Sequence, residues 1–245
     1  MVLGSYPFLP FQQTKHHIFC HLPGFPLCYF YIVKKSNVRR IRVLTIYLVR
    51  HGKTEWNVQT RWQGWGNGEL TAEGMQGATL LSKRLKDEPI DKVYASSSKR
   101  AYHTAEIIIG RRSIEIVKED VLREMHFGDW EGRTKDEVIA QYANEVKAFW
   151  ETPHLYTRDQ GELFPDVYER AAEAWKMILE NHSSGTVLIV SHSIFLRVLL
   201  SYLKDLPLEH LFKQEPLLNT SLTQIQVEDG KVSIIFEGDT SHLVE

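Results

Sequence analysis

A short apolar run, Thr45-Ile46-Tyr47-Leu48-Val49, ends abruptly in Arg50-His51-Gly52. Its β-branched and aliphatic residues are those of a buried strand. Such a strand would deliver a cation, an imidazole and a glycine to its carboxyl end, where open α/β sheets place their ligands. A second run, Thr186-Val187-Leu188-Ile189-Val190-Ser191, delivers His192 and Ser193 in the same way. Either histidine alone would read as a hydrogen-bonded structural residue. Two of them, each directly beyond a strand, would lie at one edge of a parallel sheet and could converge.

Arg50 and Arg100 are natural anion clamps, because a guanidinium offers a rigid fork of donors that matches phosphate oxygens. Ser96-Ser97-Ser98 offers an N-cap, which puts Arg100 in the first turn of a helix, where backbone N–H groups also favour an anion. On its own Arg100 would read as a solvated helix residue. Glu124 lies in Leu122-Arg123-Glu124-Met125-His126-Phe127-Gly128-Asp129-Trp130-Glu131-Gly132. A carboxylate among such apolar neighbours is a candidate for a raised pKa and for general acid catalysis. Asp129 and Glu131 compete for that role on equal terms at this level.

Other chemistries fail on spacing. Gly52-Lys53-Thr54 imitates the end of a phosphate-binding P-loop, but that motif needs glycine where Tyr47 stands. No H-E-x-x-H or C-x-x-C occurs and the histidines are scattered, so no metal site is expected. No G-x-S-x-G elbow is present. Both cysteines, Cys20 and Cys28, precede the regular part of the chain, which removes a cysteine nucleophile and makes a reducing, cytoplasmic compartment natural.

The elements that must position these groups begin at Thr45. After the first strand the composition of Arg61 to Gly68 reads as a loop, followed by a helix from about Thr71 with Met75, Ala78, Leu81 and Leu85 inward, ended by Pro89. Lys92 to Ala95 reads as a strand, and the helix after Ser98 carries Arg100, Ala101, Ala105 and Ile108. Ser113 to Val117 alternates as a third strand. Thr134 and Glu137 form a capping box for a helix with Val138, Tyr142, Val146 and Phe149 inward. Pro165 opens another helix, carrying Val167, Ala171, Ala174 and Ile178. An apolar helix runs from His192-Ser193 to about Leu203. Asp229-Gly230 joins Ser221–Val227 to Lys231–Phe236 as a hairpin. Strands alternating with helices predict an α/β fold, a three-layer α/β/α sandwich around a mostly parallel central sheet.

The 245 residues carry a formal net charge of −2, which supplies no basic surface for nucleic acid. That average hides an asymmetry. Residues 1–44 hold six basic side chains and no acid, leaving 23 basic and 31 acidic groups for the remainder. Residues 1–43 show no period and are broken by Pro7, Pro10, Pro23, Gly24 and Pro26. They read as a disordered N-terminal extension, or as upstream sequence ahead of a start near Val43 or Leu44. The apolar stretch Ile18–Val33 is shorter than the roughly 20 unbroken residues of a membrane helix. The domain is thus expected over 44–245, with no membrane partner and nothing that sets an oligomeric state.

The motifs, taken together, resemble the histidine phosphatase (phosphoglycerate mutase-like) superfamily. Those that carry the resemblance are R-H-G-x-T-x-x-N at 50–57, Gln63-Gly64, Leu70-Thr71-x-x-Gly74, Ser98-x-Arg100-Ala101-x-x-Thr104-Ala105, Leu122-x-Glu124-x-x-x-Gly128-x-Trp130-Glu131-Gly132 and Val190-Ser191-His192. The closing segment, with Gly161-Glu162 and Glu237-Gly238-Asp239-x-Ser241-His242, most resembles PhoE-type broad-specificity phosphatases. The resemblance implies His51 as a nucleophile that becomes phosphohistidine, with Arg50, Arg100 and His192 holding the phosphoryl oxygens. Thr54, Asn57, Gln63, Gly64 and Ser193 would border the substrate. Glu124 would be the proton donor, and neither a metal nor a cofactor would be used. Ser193 replaces a frequent glycine, which would narrow the pocket, Gly66-Asn67-Gly68 replaces a commoner Asp-bearing turn, and Leu163 follows Glu162 in place of serine.

The expected activity is therefore phosphomonoester hydrolysis of small phosphorylated metabolites. The alternatives are a cofactor-dependent phosphoglycerate mutase or a catalytically weak phospho-ligand-binding protein. Family mutases carry lysine and paired arginines after the proton donor. Residues 125–185 here hold six basic and twelve acidic side chains, nine aromatics and no Arg-Arg pair, which favours a phosphatase. The intact His51, Arg50, Arg100, Glu124 and His192 weigh against mere binding.

Overall fold

A computed structural model describes residues 42–244. The expected N-terminal extension lies outside them except for its last two residues, of which Val43 already belongs to the first strand. The strands are β1 (Val43–Arg50), β2 (Lys92–Ser96), β3 (Ile116–Glu119), β4 (Gly185–Ser191), β5 (Leu222–Glu228) and β6 (Lys231–Asp239). They form one sheet in the order β3-β2-β4-β1-β5-β6. The first four are parallel, and β5 and β6 are antiparallel additions at one edge. The helices are α1 (Glu55–Val58), α2 (Ala72–Arg84), α3 (Lys99–Ile109), α4 (Lys135–Glu151), α5 (Phe164–Asn181) and α6 (Ser193–Leu203). No helix among the described residues is long and apolar enough to cross a membrane.

The three layers follow from the two-residue period of the strands. Leu44, Ile46 and Leu48 of β1, with Val187 and Ile189 of β4, pack into one apolar cluster under α4, α5 and α6. Tyr47 and Val49, with Leu188 and Val190, pack into a second cluster against α2 and α3. Strands buried on both faces are why these segments read as nearly continuous apolar runs.

Several local expectations are corrected. The third strand begins at Ile116 rather than Ser113. Arg112 donates to the Ile108 and Ile109 carbonyls of α3 and to Leu85, at 2.8–3.2 Å, and so holds the turn after α3. On α2 it is Gly74, Gly77, Ala78 and Leu81 that face inward, whereas Met75 is 39% exposed. A side chain at 74 would not fit, since a Cβ there would lie 2.1 Å from the Lys53 carbonyl oxygen. The helix also stops at Arg84, ahead of Pro89. Tyr142 is only half-buried and sits at a kink in α4 (φ −131°, ψ 42°). The short helix α1 was not expected.

In the final hairpin, Asp229 and Gly230 both take positive φ (48° and 82°), as the two central residues of a tight turn require. Beyond it, Ile225 pairs with Ile234 but Gln224 pairs with Phe236, so β6 carries an extra residue. That bulge flips the face of the strand: Val232 and Ile234 pack on the first cluster and Phe236 on the second.

Candidate active site

Parallel pairing of β1 with β4 matches Arg50 to Ser191, and the His51 N–H continues the ladder to the Ser191 carbonyl at 2.9 Å. The residues that follow each strand therefore emerge side by side. The rings of His51 and His192 lie 5.1 Å apart. From β2, the Ser98 N-cap delivers Arg100 beneath both imidazoles. Each of these side chains is almost completely buried: His51 4%, His192 0% and Arg100 1% exposed.

The hydrogen bonds define the tautomers. His51 Nδ1 lies 2.8 Å from the Gly52 carbonyl oxygen, which can only accept, so Nδ1 carries the proton. Nε2 keeps its lone pair, towards which Arg100 Nε points at 3.3 Å. His192 Nδ1 accepts from Arg100 Nη2 at 3.0 Å, so its Nε2–H donates to the hydroxyls of Ser96 (2.8 Å) and Ser98 (3.1 Å). This explains why Ser98 makes no side-chain cap to its own helix. Burial, reinforced by the neighbouring arginines, holds both histidines well below their usual pKa and hence neutral.

Positive charge comes from the arginines. Burial lowers the Arg50 and Arg100 guanidiniums to about 10, so both remain cations at neutral pH. Arg100 is fixed by the carbonyls of Gly64 and Gly66, each at 2.7 Å. Arg50 donates to the Leu217 carbonyl at 2.8 Å, while its buried Nε has no protein partner. Two guanidiniums beside a neutral imidazole whose unprotonated Nε2 accepts only the long Arg100 contact make a receptor for an anion that the imidazole can attack.

Glu124 reaches the same place from the segment after β3. Its Oε1 accepts from the Met125 and Phe195 N–H groups (2.9 and 3.0 Å) and its Oε2 from the Ile194 N–H (3.1 Å), at the N-terminus of α6. Burial raises its pKa despite these bonds and the nearby Arg100. The competing carboxylates are committed elsewhere. Glu131 accepts from the N–H groups of Trp65, Gly66 and Phe127. It thereby shapes the loop whose carbonyls hold Arg100. Asp129 pairs with Arg158 and the Tyr142 hydroxyl, which lower its pKa.

The remaining expected residues support the site more than they line it. Thr54 and Asn57 form the capping box of α1, the signal that should have revealed that helix. The buried Thr54 hydroxyl also donates to Gln63 Oε1 at 2.8 Å. Gln63 Nε2 is buried without a protein partner, and Gly64 contributes its carbonyl to Arg100. Ser193 opens α6 and is half-buried. Two positioning residues had been given no role, although Thr104 stands in one of the motifs. Thr104 Oγ1 accepts from the Gly52 N–H (2.9 Å) and donates to the Arg100 carbonyl (2.6 Å), joining nucleophile segment to clamp. Its place one turn beyond Arg100 was the available signal. Asn219 donates to the His51 carbonyl at 3.0 Å from a polar turn before β5; no local pattern marks it.

With this geometry in hand, the chain can be set beside known proteins. Residues 46–240 match the model of the histidine phosphatase superfamily (branch 1). Phosphoserine phosphatase 1 of Hydrogenobacter thermophilus is 32% identical, over 83% of this chain and 96% of its own. A 2,3-bisphosphoglycerate-dependent phosphoglycerate mutase of Bartonella tribocorum is 33% identical, over 70% and 86%. The solved structure of Bacillus stearothermophilus YhfR superposes with a TM-score of 0.80 at 45% identity, covering 82% of this chain and all of the other.

Proposed function

The chain belongs to branch 1 of the histidine phosphatase superfamily, and on that premise we propose that it is a metal-independent, broad-specificity phosphomonoesterase acting on small phosphorylated metabolites in the cytoplasm. The observation that carries this reading is the His51 tautomer. With Nδ1–H committed to the Gly52 carbonyl, Nε2 presents its lone pair beside Arg50 and Arg100.

In the proposed reaction Nε2 of His51 attacks phosphorus in line while Arg50 and Arg100 hold the phosphoryl oxygens; His192, expected to hold them too, has its ring nitrogens committed to Arg100, Ser96 and Ser98 and instead orients the Arg100 guanidinium. The bond from phosphorus to the leaving oxygen breaks, and Glu124 gives that oxygen a proton. Of the roughly four lone-pair positions on a carboxylate, three accept backbone N–H bonds here and one on Oε2 is open to carry that proton. Water then attacks the phosphohistidine, Glu124 takes a proton from it, the Nε2–P bond breaks and orthophosphate leaves.

The mutase reading rests on relatives such as the Bartonella enzyme. Residues 125–185 favour a phosphatase, because a mutase needs free cations for a second anionic group. All three arginines of residues 125–185 are engaged: Arg133 with Glu137 and Gln141, Arg158 with Phe127 and Asp129, and Arg170 with Glu162.

Rapid quenching with a labelled phosphate ester in EDTA should trap an acid-labile, base-stable phosphoenzyme, and His51→Ala should form none. Turnover of 3-phosphoglycerate should release orthophosphate whether or not the bisphosphate is present. Activity that EDTA abolishes and a divalent metal restores would overturn the reading. Net mutase turnover would assign the enzyme to the alternative.

A further inference from the structure

Of the three candidate carboxylates Glu124 alone is left to donate a proton, yet its own segment, Arg123 to Phe127, belongs to no helix or strand. Something else must hold it still. The guanidinium of Arg170, on α5, donates through Nη1 to the carbonyls of Val121 (3.1 Å) and Arg123 (2.6 Å), and through Nη2 to that of Glu124 itself (3.3 Å). Its remaining donors, Nε and Nη2, grip both oxygens of Glu162 at 2.9 Å. Glu162 in turn accepts from the His126 N–H at 2.7 Å, and its own N–H donates to the His126 carbonyl at 2.8 Å. The backbone is thus pinned on both sides of Glu124. Arg170 also lies over the ring of Phe195, 5.2 Å from its centroid, and Phe195 supplies one of the N–H groups on the Glu124 carboxylate.

We infer that the Glu162–Arg170 pair is a positioning device for the proton donor, acting through backbone and touching neither nucleophile nor phosphate. The pair is mostly buried, at 15% and 19% side-chain exposure, so solvent does not dissolve it as it would a surface pair. Its fork geometry matters more than its charge: five N–H donors are distributed over three carbonyls and one carboxylate, which the point charge of a lysine cannot reproduce. The inference rests on Glu124 being the proton donor, and its test is arranged to separate the two.

Single-turnover phosphorylation of His51 is measured with an alkyl phosphate, whose leaving oxygen needs the proton, and with p-nitrophenyl phosphate, whose leaving group does not. Glu124→Gln should lose about 10²–10⁴-fold with the alkyl ester and far less with the activated one. Arg170→Lys and Glu162→Gln should show the same selectivity at smaller amplitude, up to about 100-fold, as displacement of a catalytic group by an ångström does. Thermal melting shows that each variant is folded at the assay temperature, and Glu162→Gln, the milder change, serves if Arg170→Lys is not. Equal losses for the two esters, or none, in the pair variants while Glu124→Gln remains selective would overturn this inference alone. Equal losses in Glu124→Gln as well would overturn the assignment of Glu124 and the inference with it.

Discussion

The two faces of the sheet are packed with different materials. Beneath α2 and α3 the buried residues, Tyr47 apart, are small or aliphatic, among them Ala78, Ala95, Ala101, Ala105, Leu81 and Val93. Beneath α4, α5 and α6 they include Trp62, Trp130, Phe149, Phe164, Trp175 and Phe195. Small side chains let backbones meet. On the α2/α3 face Gly52 lies so near Gly74 that a Cβ on it would be 2.7 Å from the Gly74 carbonyl oxygen, and the Thr104 hydroxyl reaches the Gly52 N–H. The nucleophile is therefore placed by backbone contact, with little slack. The proton donor, on the aromatic face, is placed by a network of long side chains over a bulky core. One face places the nucleophile, and the other places the proton donor and holds most of the aromatic bulk.

The largest expected effect on stability follows from the aromatic face. Phe149 is fully buried, and its ring centroid lies 4.9–5.3 Å from those of Trp62, Trp150, Tyr156 and Phe164. Phe149→Ala should cost about 3–5 kcal/mol in urea unfolding, from lost burial and the cavity left behind. Phosphorylation of His51 by an activated ester should stay close to wild type at temperatures where the variant is folded. A collapse of that rate would mean that the two faces are not separable.

Thr104→Val makes the opposite test. It conserves shape but leaves the Gly52 N–H without its acceptor, which should cost about 1–3 kcal/mol. That is a smaller stability loss than for Phe149→Ala, with a larger loss of phosphorylation rate, since the Gly52 carbonyl fixes the His51 tautomer. Thr104→Ser, which keeps the hydroxyl, should restore most of the rate. Valine activity equal to that of serine would show that the hydroxyl is not what positions Gly52.

The same contrast governs what could be read from the chain. The site residues that end strands or open helices, Arg50, His51, Arg100 and His192, were legible because a strand's carboxyl end is a definite place in a parallel sheet. From its own segment Glu124 was one of three carboxylates, and only the family resemblance ranked it first. What separates it from Glu131 is which backbone N–H groups each one meets, and those come from residues far away in sequence. The Glu162–Arg170 pair, the Asn219 contact and the β6 bulge were hidden for the same reason. The third strand was misplaced by three residues because Arg112, whose partners lie at the ends of α2 and α3, extends the turn at the expense of the edge strand.

The smallest expected effect probes how the antiparallel edge is fastened to both faces. Lys204, the residue that caps the end of α6, pairs with Glu237 of β6 on one side. Arg84 of α2 holds Asp239 at 2.5 Å on the other, while lying 5.4 Å from the centroid of the Phe236 ring. The Arg84 hydrogen bond, aided by the Ser241 N–H, lowers the Asp239 carboxyl from 3.8 to about 2. A carboxyl depressed in the folded state contributes its stability in full above its unfolded value, and that contribution disappears as pH falls through the folded value. The window here runs from about 4 down to about 2. Both side chains are partly exposed, at 24% and 30%, which limits the pair to about 0.2–1 kcal/mol. Asp239→Asn should therefore be less stable than wild type by that amount near neutral pH in urea unfolding. The difference should narrow towards pH 2 and close below it, where the wild-type carboxyl is itself protonated. A gap that persists unchanged at the acid end would show that asparagine disturbs packing around the bulge, and that β6 is held by Phe236 and its neighbours rather than by charge.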